Sequence, residues 1–240
     1  MAVNALARTV NAEAGSASFD FVGVRVTCDH AGVLHVPAFD TLVVSDLHLE
    51  KGAAFARRNM HLPPWDTAAT LARLGAAMAR YNPGRVISLG DSFHDGQGAA
   101  AMPDLFRAGL AALMAGREWI WIAGNHDPRP PENLGGLSAD NFSLGALTFR
   151  HEPSRRPTPG EVAGHLHPAA TVILRGHPVR RACFVEDGVR LVMPAFGAFT
   201  GAADIAAPRT APLFDWPRLN AYLLGRDRVY AMPGRLIARR

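Results

Sequence analysis

From Phe21 to Val36 apolar and polar residues alternate (FVGVRVTCDHAGVLHV) around an Asp-His-Ala-Gly step, the period-two pattern of a half-buried hairpin. The run TLVVS (41–45) is short and β-branched, as a buried strand would be. The spacing then changes. Leu71, Leu74, Met78 and Tyr81 form one apolar stripe, predicting a helix from an Asp66 N-cap to about Tyr81, stopped by Asn82-Pro83-Gly84. RVISL (85–89) predicts a second buried strand. Phe106, Leu110, Leu113 and Met114 predict a helix over 103–115 ending at Gly116, and WIWIA (119–123) a third strand. Beyond residue 140 helical spacing fades, and LTFRH (147–151), TVILRG (171–176), ACFVE (182–186) and VRLVMPAF (189–196) read as strands. The stretches 128–136 and 152–160 read as loops, and the last 30 residues fit a strand or a short helical appendage equally well.

Alternating buried strands and helices imply right-handed βαβ units around a parallel sheet, and the later strands a second sheet. The expected fold class is α/β, a two-sheet β-sandwich flanked by helices. A length of 240 residues suits one substantial core, so 21–240 is expected to be a single domain and 1–20 a loose leader rather than a signal peptide. There is no apolar stretch long enough to span a bilayer, so no membrane role is expected. Two cysteines, Cys28 and Cys183, are too few for a disulfide framework and point to a reducing, cytoplasmic location. The net charge of +4 rests almost wholly on arginine, because Lys51 is the only lysine. That shifts the expected substrate slightly towards polyanions.

Candidate chemistry clusters where predicted strands stop. TLVVS runs into Asp46-Leu47-His48, RVISL into Gly90-Asp91, WIWIA into Gly124-Asn125-His126-Asp127, and LTFR into His151; a Gly164 turn precedes His165-Leu166-His167. Carboxyl ends of parallel strands form the crevice where α/β proteins bind ligands. Five segments delivering metal-competent side chains to one rim is a demanding coincidence. Residues i and i+2 of an extended segment share a face, which would make Asp46 with His48, and His165 with His167, convergent pairs. A carboxylate has two oxygens, so Asp91 can bridge two ions about 3.5–4 Å apart. Two divalent ions bring four positive charges, of which two carboxylates cancel two, and the remainder suits a phosphate. Mixed imidazole and oxygen donors point to manganese, iron or zinc over a magnesium-only site, and manganese is the ion expected first.

DLH, GDSFHD, GNHD and GHLH, in this order around a lone histidine, resemble the signature of the calcineurin-like metallophosphoesterase superfamily. DLHLEKGAAFA, LPPWDT, GDSFHD, RHEP, GHLHP and PAFGAFTG further resemble its ligase-associated DNA-damage-response endonuclease branch, across residues 40–201. The run departs from that pattern at Ala202-Ala203-Asp204. The resemblance implies an αββα fold and a phosphodiesterase acting in DNA repair on single-stranded or looped DNA, functionally linked to a DNA ligase and a helicase. It implies one ion on Asp46, His48, Asp91 and His167, and a second on Asp91, Asn125, His151 and His165. It also implies in-line attack of metal-bound hydroxide on phosphorus, with His126 facing the scissile phosphate, Asp127 orienting the His126 ring, and His94 touching the phosphate or leaving group.

A histidine taken singly is ordinarily a hydrogen-bonded surface group, and His30, His35, His61 and His177 are read so. Trp119 and Trp121 read as core, and Trp65, in a Pro-Pro loop, as a candidate for exposure. Arg155-Arg156 and Arg180-Arg181 suit a solvated surface. Arg57 and Arg58, closest to the first metal motif, are the first candidates for nucleic-acid contact. Competing expectations are a phosphoesterase acting on nucleotides or pyrophosphates and a scaffold that has lost catalysis. The filled ligand positions argue against the scaffold.

Overall fold

The computed structural model describes residues 15–56, 65–96, 98–128 and 134–239. The first strand, β1 (Ser16–Phe21), pairs with β2 (Val24–Asp29), which pairs with β3 (Leu34–Val36). The hairpin expected over 21–36 is thus β2–β3. Residues 16–20, expected to be leader, join Phe21 in an additional edge strand, where Phe19 and Phe21 are fully buried. Next come β4 (Thr41–Val44), α1 (Lys51–Ala56), α2 (Asp66–Tyr81), β5 (Arg85–Leu89), α3 (Gly98–Ala101), α4 (Asp104–Met114), β6 (Glu118–Ile122) and β7 (Leu137–Ala139). Strands β1 to β7 make one sheet in sequence order, antiparallel from β1 to β4 and parallel from β4 to β7.

The second sheet is built from β8 (Asn141–Leu144), β9 (Leu147–Arg150), β10 (Glu161–Ala163), β11 (Pro168–Leu174), β12 (His177–Glu186), β13 (Arg190–Val192) and β14 (Ala203–Asp204), joined by the hairpin β15 (Asn220–Leu224) and β16 (Val229–Pro233). The open ending of the chain is therefore a hairpin. The strand expected over 189–196 stops at Val192, and Met193 to Phe196 cross towards the first sheet, where the Phe196 N–H donates to the Ser45 carbonyl (2.8 Å).

Apolar residues fall into three layers. Phe19, Phe21, Ile87 and Ile120 of the first sheet meet Phe149, Phe184, Leu191 and Tyr222 of the second, and Phe19 stacks on Tyr222 at 4.5 Å. On the outer face of the first sheet, Leu74 and Met78 of α2 and Leu110 and Met114 of α4 cover Val44, Val86 and Trp119. The outer face of the second sheet is covered by Ile205, Phe214, Leu219 and Ile237 from turns, with no α-helix over it among the described residues. Asp66 does not cap its own helix. It is the first helical residue, and its carboxylate accepts the Gly52 N–H (3.0 Å), fixing α1 against α2. No described helix is long and apolar enough to cross a membrane.

Candidate metal centre

Strand register brings the site together. Val44 pairs with Ser88 and Leu89 with Ile122, so β4, β5 and β6 end nearly flush. In the second sheet Ala163 pairs with both Arg150 and Val192, which levels β9, β10 and β13. Past these ends Asp46 N–H donates to Gly90 O (3.3 Å) and His48 N–H to Asp91 O (2.9 Å) within the first sheet, Gly164 N–H donates to His151 O (2.9 Å) within the second, and Gly197 N–H to Asp46 O (3.1 Å) and His165 N–H to Asp46 Oδ2 (3.0 Å) stitch the two together.

Two glycines make this approach sterically possible. A methyl on Gly90 would lie 2.5 Å from the His151 ring, and one on Gly164 would overlap Ser45 Oγ and lie 2.8 Å from Asp46 Oδ2. The convergent side chains also carry unusual backbone. Asp46, His48, Asp91, His165 and His167 all have positive φ, between 43° and 66°. Such residues normally avoid this region, and each costs on the order of 1–3 kcal/mol, supported here by the surrounding stitching. Neither pair lies on extended backbone, yet Asp46 and His48 still converge on one donor group. His165 and His167 diverge, one to each of two clusters.

Asp46, His48 and His167 form one group, and Asp91, His151 and His165 the other, with donor atoms within 4.8 Å of one another inside each group. Asp91 faces both: Oδ2 lies 3.9 Å from His48 Nε2, and Oδ1 lies 3.4 Å from His151 Nε2. Asn125 Oδ1 is 2.9 Å from His151 Nε2, which places it at the second group. All seven sequence-predicted ligands are thus at one rim.

Its electrostatics suit a cation. Asp46 Oδ2 accepts from Ser45 Oγ (2.5 Å) and His165 N–H (3.0 Å), while the fully buried Oδ1 has no hydrogen bond and faces His167 Nε2 at 3.2 Å. Imidazole nitrogens are crowded together: His48 Nε2 lies 3.4 Å from His167 Nε2, and His165 Nδ1 lies 3.2 Å from His151 Nε2. Burial alone would raise Asp91, but its hydrogen bond and charge interaction with His151, the His126 N–H and His48 bring it down to about 2. The converse holds for His151, which burial lowers but the hydrogen bond to Asp91 and the charges of Asp46 and Asp91 raise to about 9. His48 is driven down to about 4, mainly by burial, which keeps a neutral donor nitrogen. Protons drawn onto His151 occupy the place a cation would take, and metal binding would displace them. The residues fit a pair of divalent ions.

The predicted catalytic residues are arranged differently from expectation. His126 Nδ1 donates to the backbone carbonyl of His94 (2.9 Å), so that carbonyl, and not Asp127, sets its tautomer. Its Nε2 points inward, 3.9 Å from Asp91 Oδ2. Asp127 is buried instead. Its Oδ2 accepts the Ser92 and Phe93 N–H groups (2.8 and 3.1 Å), stapling the loop after β5 to the loop after β6. Desolvation, with Asp91 nearby, pushes its carboxyl up to about 7. The His94 ring stacks on that of His126 with centroids 5.4 Å apart.

Arg57 and Arg58, like His61, lie outside the described residues. Trp65 is 70% exposed, whereas Trp119 and Trp121 are core. The departure at Ala202-Ala203-Asp204 carries β14, whose Ala203 N–H donates to His167 O (2.8 Å) and steadies that ligand. The sequence reading passed over Ser45, which holds Asp46, and the Gly201 carbonyl, which accepts from His167 Nδ1 (3.1 Å). The one available signal for the latter was PAFGAFTG, a glycine-spaced run directly before β14.

The family model described as calcineurin-like phosphoesterase matches residues 39–173. Among solved structures, the chain is similar to the nuclease MPE of Pseudomonas putida, at 29% identity and a TM-score of 0.69, over 92% of this chain and 100% of that one. No curated protein matches. The family match covers more than half of the 240 residues and includes every donor segment described above, so the protein belongs to the calcineurin-like phosphoesterase family, whose members are metal-dependent hydrolases.

Proposed function

We propose that this protein is a nuclease, hydrolysing phosphodiester bonds of DNA at two divalent ions held by the seven rim residues. The observation that carries this reading is the pair of donor groups with one Asp91 oxygen turned to each. Asp46, His48, Asp91 and His167 would hold one ion, and Asp91, Asn125, His151 and His165 the other. Manganese is the first choice and iron or zinc the alternatives; the mixture of imidazole and oxygen donors speaks against magnesium alone. Bound there, the ions would supply an activated water and neutralise charge on the phosphate.

The chain's own groups account for the rest of the chemistry. With Nδ1 committed to His94 O, His126 presents Nε2 to the rim, where it can hold a proton for the leaving oxygen. His94 supports that ring by stacking. Asp127 keeps the two loops in register rather than touching substrate.

The nucleic-acid substrate is supported by the similarity to a nuclease and by the basic balance of the chain. Placement in DNA repair, with single-stranded or looped DNA as substrate, a functional link to a ligase and a helicase and a cytoplasmic location, rests on the branch motifs and composition. The test is a panel run in parallel with Mn²⁺, Zn²⁺ and Mg²⁺, offering single-stranded, looped and duplex DNA beside nucleotides, pyrophosphates and an aryl phosphodiester. Manganese-supported cleavage of the unpaired DNA is expected. Intact DNA with turnover of the small substrates would replace the nuclease reading by a small-molecule phosphoesterase. His126→Ala should keep its metal by elemental analysis while turnover falls by about 10²- to 10⁴-fold.

A further inference from the structure

The loop that closes the rim, Pro194–Gly201, is tied down nearly residue by residue. Gly197 N–H donates to Asp46 O, Ala198 N–H to Thr70 Oγ1 (3.0 Å), Thr200 Oγ1 to Gly197 O (3.0 Å), and Gly201 O accepts from His167. Between these anchors stands Phe199, 51% exposed and with φ at +59°. A bulky residue in the left-handed region costs on the order of 1 kcal/mol or more, which glycine would avoid. Burial does not offset that cost here, because the residue stays half exposed. The side chain is badly placed for folding and well placed to be covered by a ligand.

What lies beside it indicates the ligand. Lys51 Nζ donates to the Phe199 carbonyl (2.8 Å) and sits 5.8 Å from the Phe55 ring centroid. Phe55 lies 5.4 Å from the His94 ring, which stacks on His126. Contacts therefore run from the Phe199 main chain through Lys51, Phe55 and His94 to His126 and the metal rim. An exposed aromatic next to a cation is the arrangement that binds unpaired nucleotides, the ring taking a base and the ammonium a backbone phosphate. A paired base is covered on both faces by its neighbours and cannot reach such a ring.

We propose that Phe199 is a stacking platform for an unpaired base flanking the cleaved phosphodiester, with Lys51 engaging the adjoining phosphate. This inference rests on the nuclease reading and assigns the residues that make it selective for unpaired strands.

The experiment measures KM for manganese-dependent cleavage of a single-stranded oligonucleotide by the full chain, together with variants carrying an abasic nucleotide at successive positions around the cut. Phe199→Ala should raise KM on the order of tenfold, and Phe199→Trp should restore it. At one abasic position the wild type should lose the same factor, while Phe199→Ala loses nothing more. Phe199→Gly should raise the melting temperature by relieving the backbone and still raise KM, which a purely structural role would not produce. Lys51→Met should flatten the slope of log affinity against log salt by about 0.7. If the wild type cleaves but Phe199→Ala matches its KM, or if the ring and abasic losses multiply at every position, this inference is overturned and the nuclease reading stands. If the wild type cleaves no oligonucleotide, the nuclease reading falls and takes this inference with it.

Discussion

Two buried polar clusters lie at the two ends of the short strand β10, and they treat charge in opposite ways. At its amino end the Glu161 carboxylate meets Arg190 (Nε at 3.4 Å) and Arg150 (3.6 Å) and accepts the Ser154 N–H, while Arg190 donates to Ser154 O (2.6 Å). Arg190 is only 1% exposed. Burial pushes the Glu161 carboxyl up, and the two arginines oppose that shift. Beyond its carboxyl end, Asp46 and Asp91 have no arginine or lysine partner among the described residues, and the ionisable groups facing them are imidazoles. The first cluster carries its own counter-charge and serves the fold. The second pairs its carboxylates with ligating nitrogens, leaving the counter-charge to be supplied by ions.

Asp91→Ala tests this contrast most severely. Turnover should be lost, and the rise in melting temperature that added Mn²⁺ gives the wild type, about 2.7 kcal/mol of stabilisation at a hundred times Kd, should vanish. Unchanged kinetics or unchanged metal stabilisation would remove Asp91 from its bridging position. Arg190→Met strands Glu161 without its main partner and should cost about 3–5 kcal/mol in chemical denaturation. Metal stoichiometry should stay at the wild-type value in that variant. If metal is lost along with stability, the two clusters are one unit and the contrast is wrong. The smallest effect expected is Gly164→Ala, which forces Ser45 and Asp46 apart and should weaken metal binding by about tenfold or more, on the order of 1.4 kcal/mol. Gly96→Ala, where an added methyl meets nothing within 4 Å, is the matched control and should leave metal affinity unchanged.

Legibility differed by element for physical reasons. The strands β4, β5 and β6 and helices α2 and α4 were readable because each carries its own periodicity. Strands β7, β8 and β10 were not, because none carries a β-branched apolar run of its own and their partners supply most of their reason to be extended. The seven donors were readable because each follows a strand end or a glycine turn. The role given to Asp127 was not, because adjacency in sequence says little about where a side chain points once the backbone turns.

Hydrophobic spacing and the order of donor segments were enough to determine an α/β sandwich with a rim of metal-competent side chains. Those properties are local, set by side-chain periodicity and by which residue types stand where strands stop. Only the tertiary structure decided that five of the ligands sit in left-handed backbone, that a carbonyl rather than a carboxylate holds His126, and that Phe199 faces outward at a steric cost. Each of these depends on contacts between segments far apart in the chain, whose balance of strain, hydrogen bonding and desolvation no single segment contains.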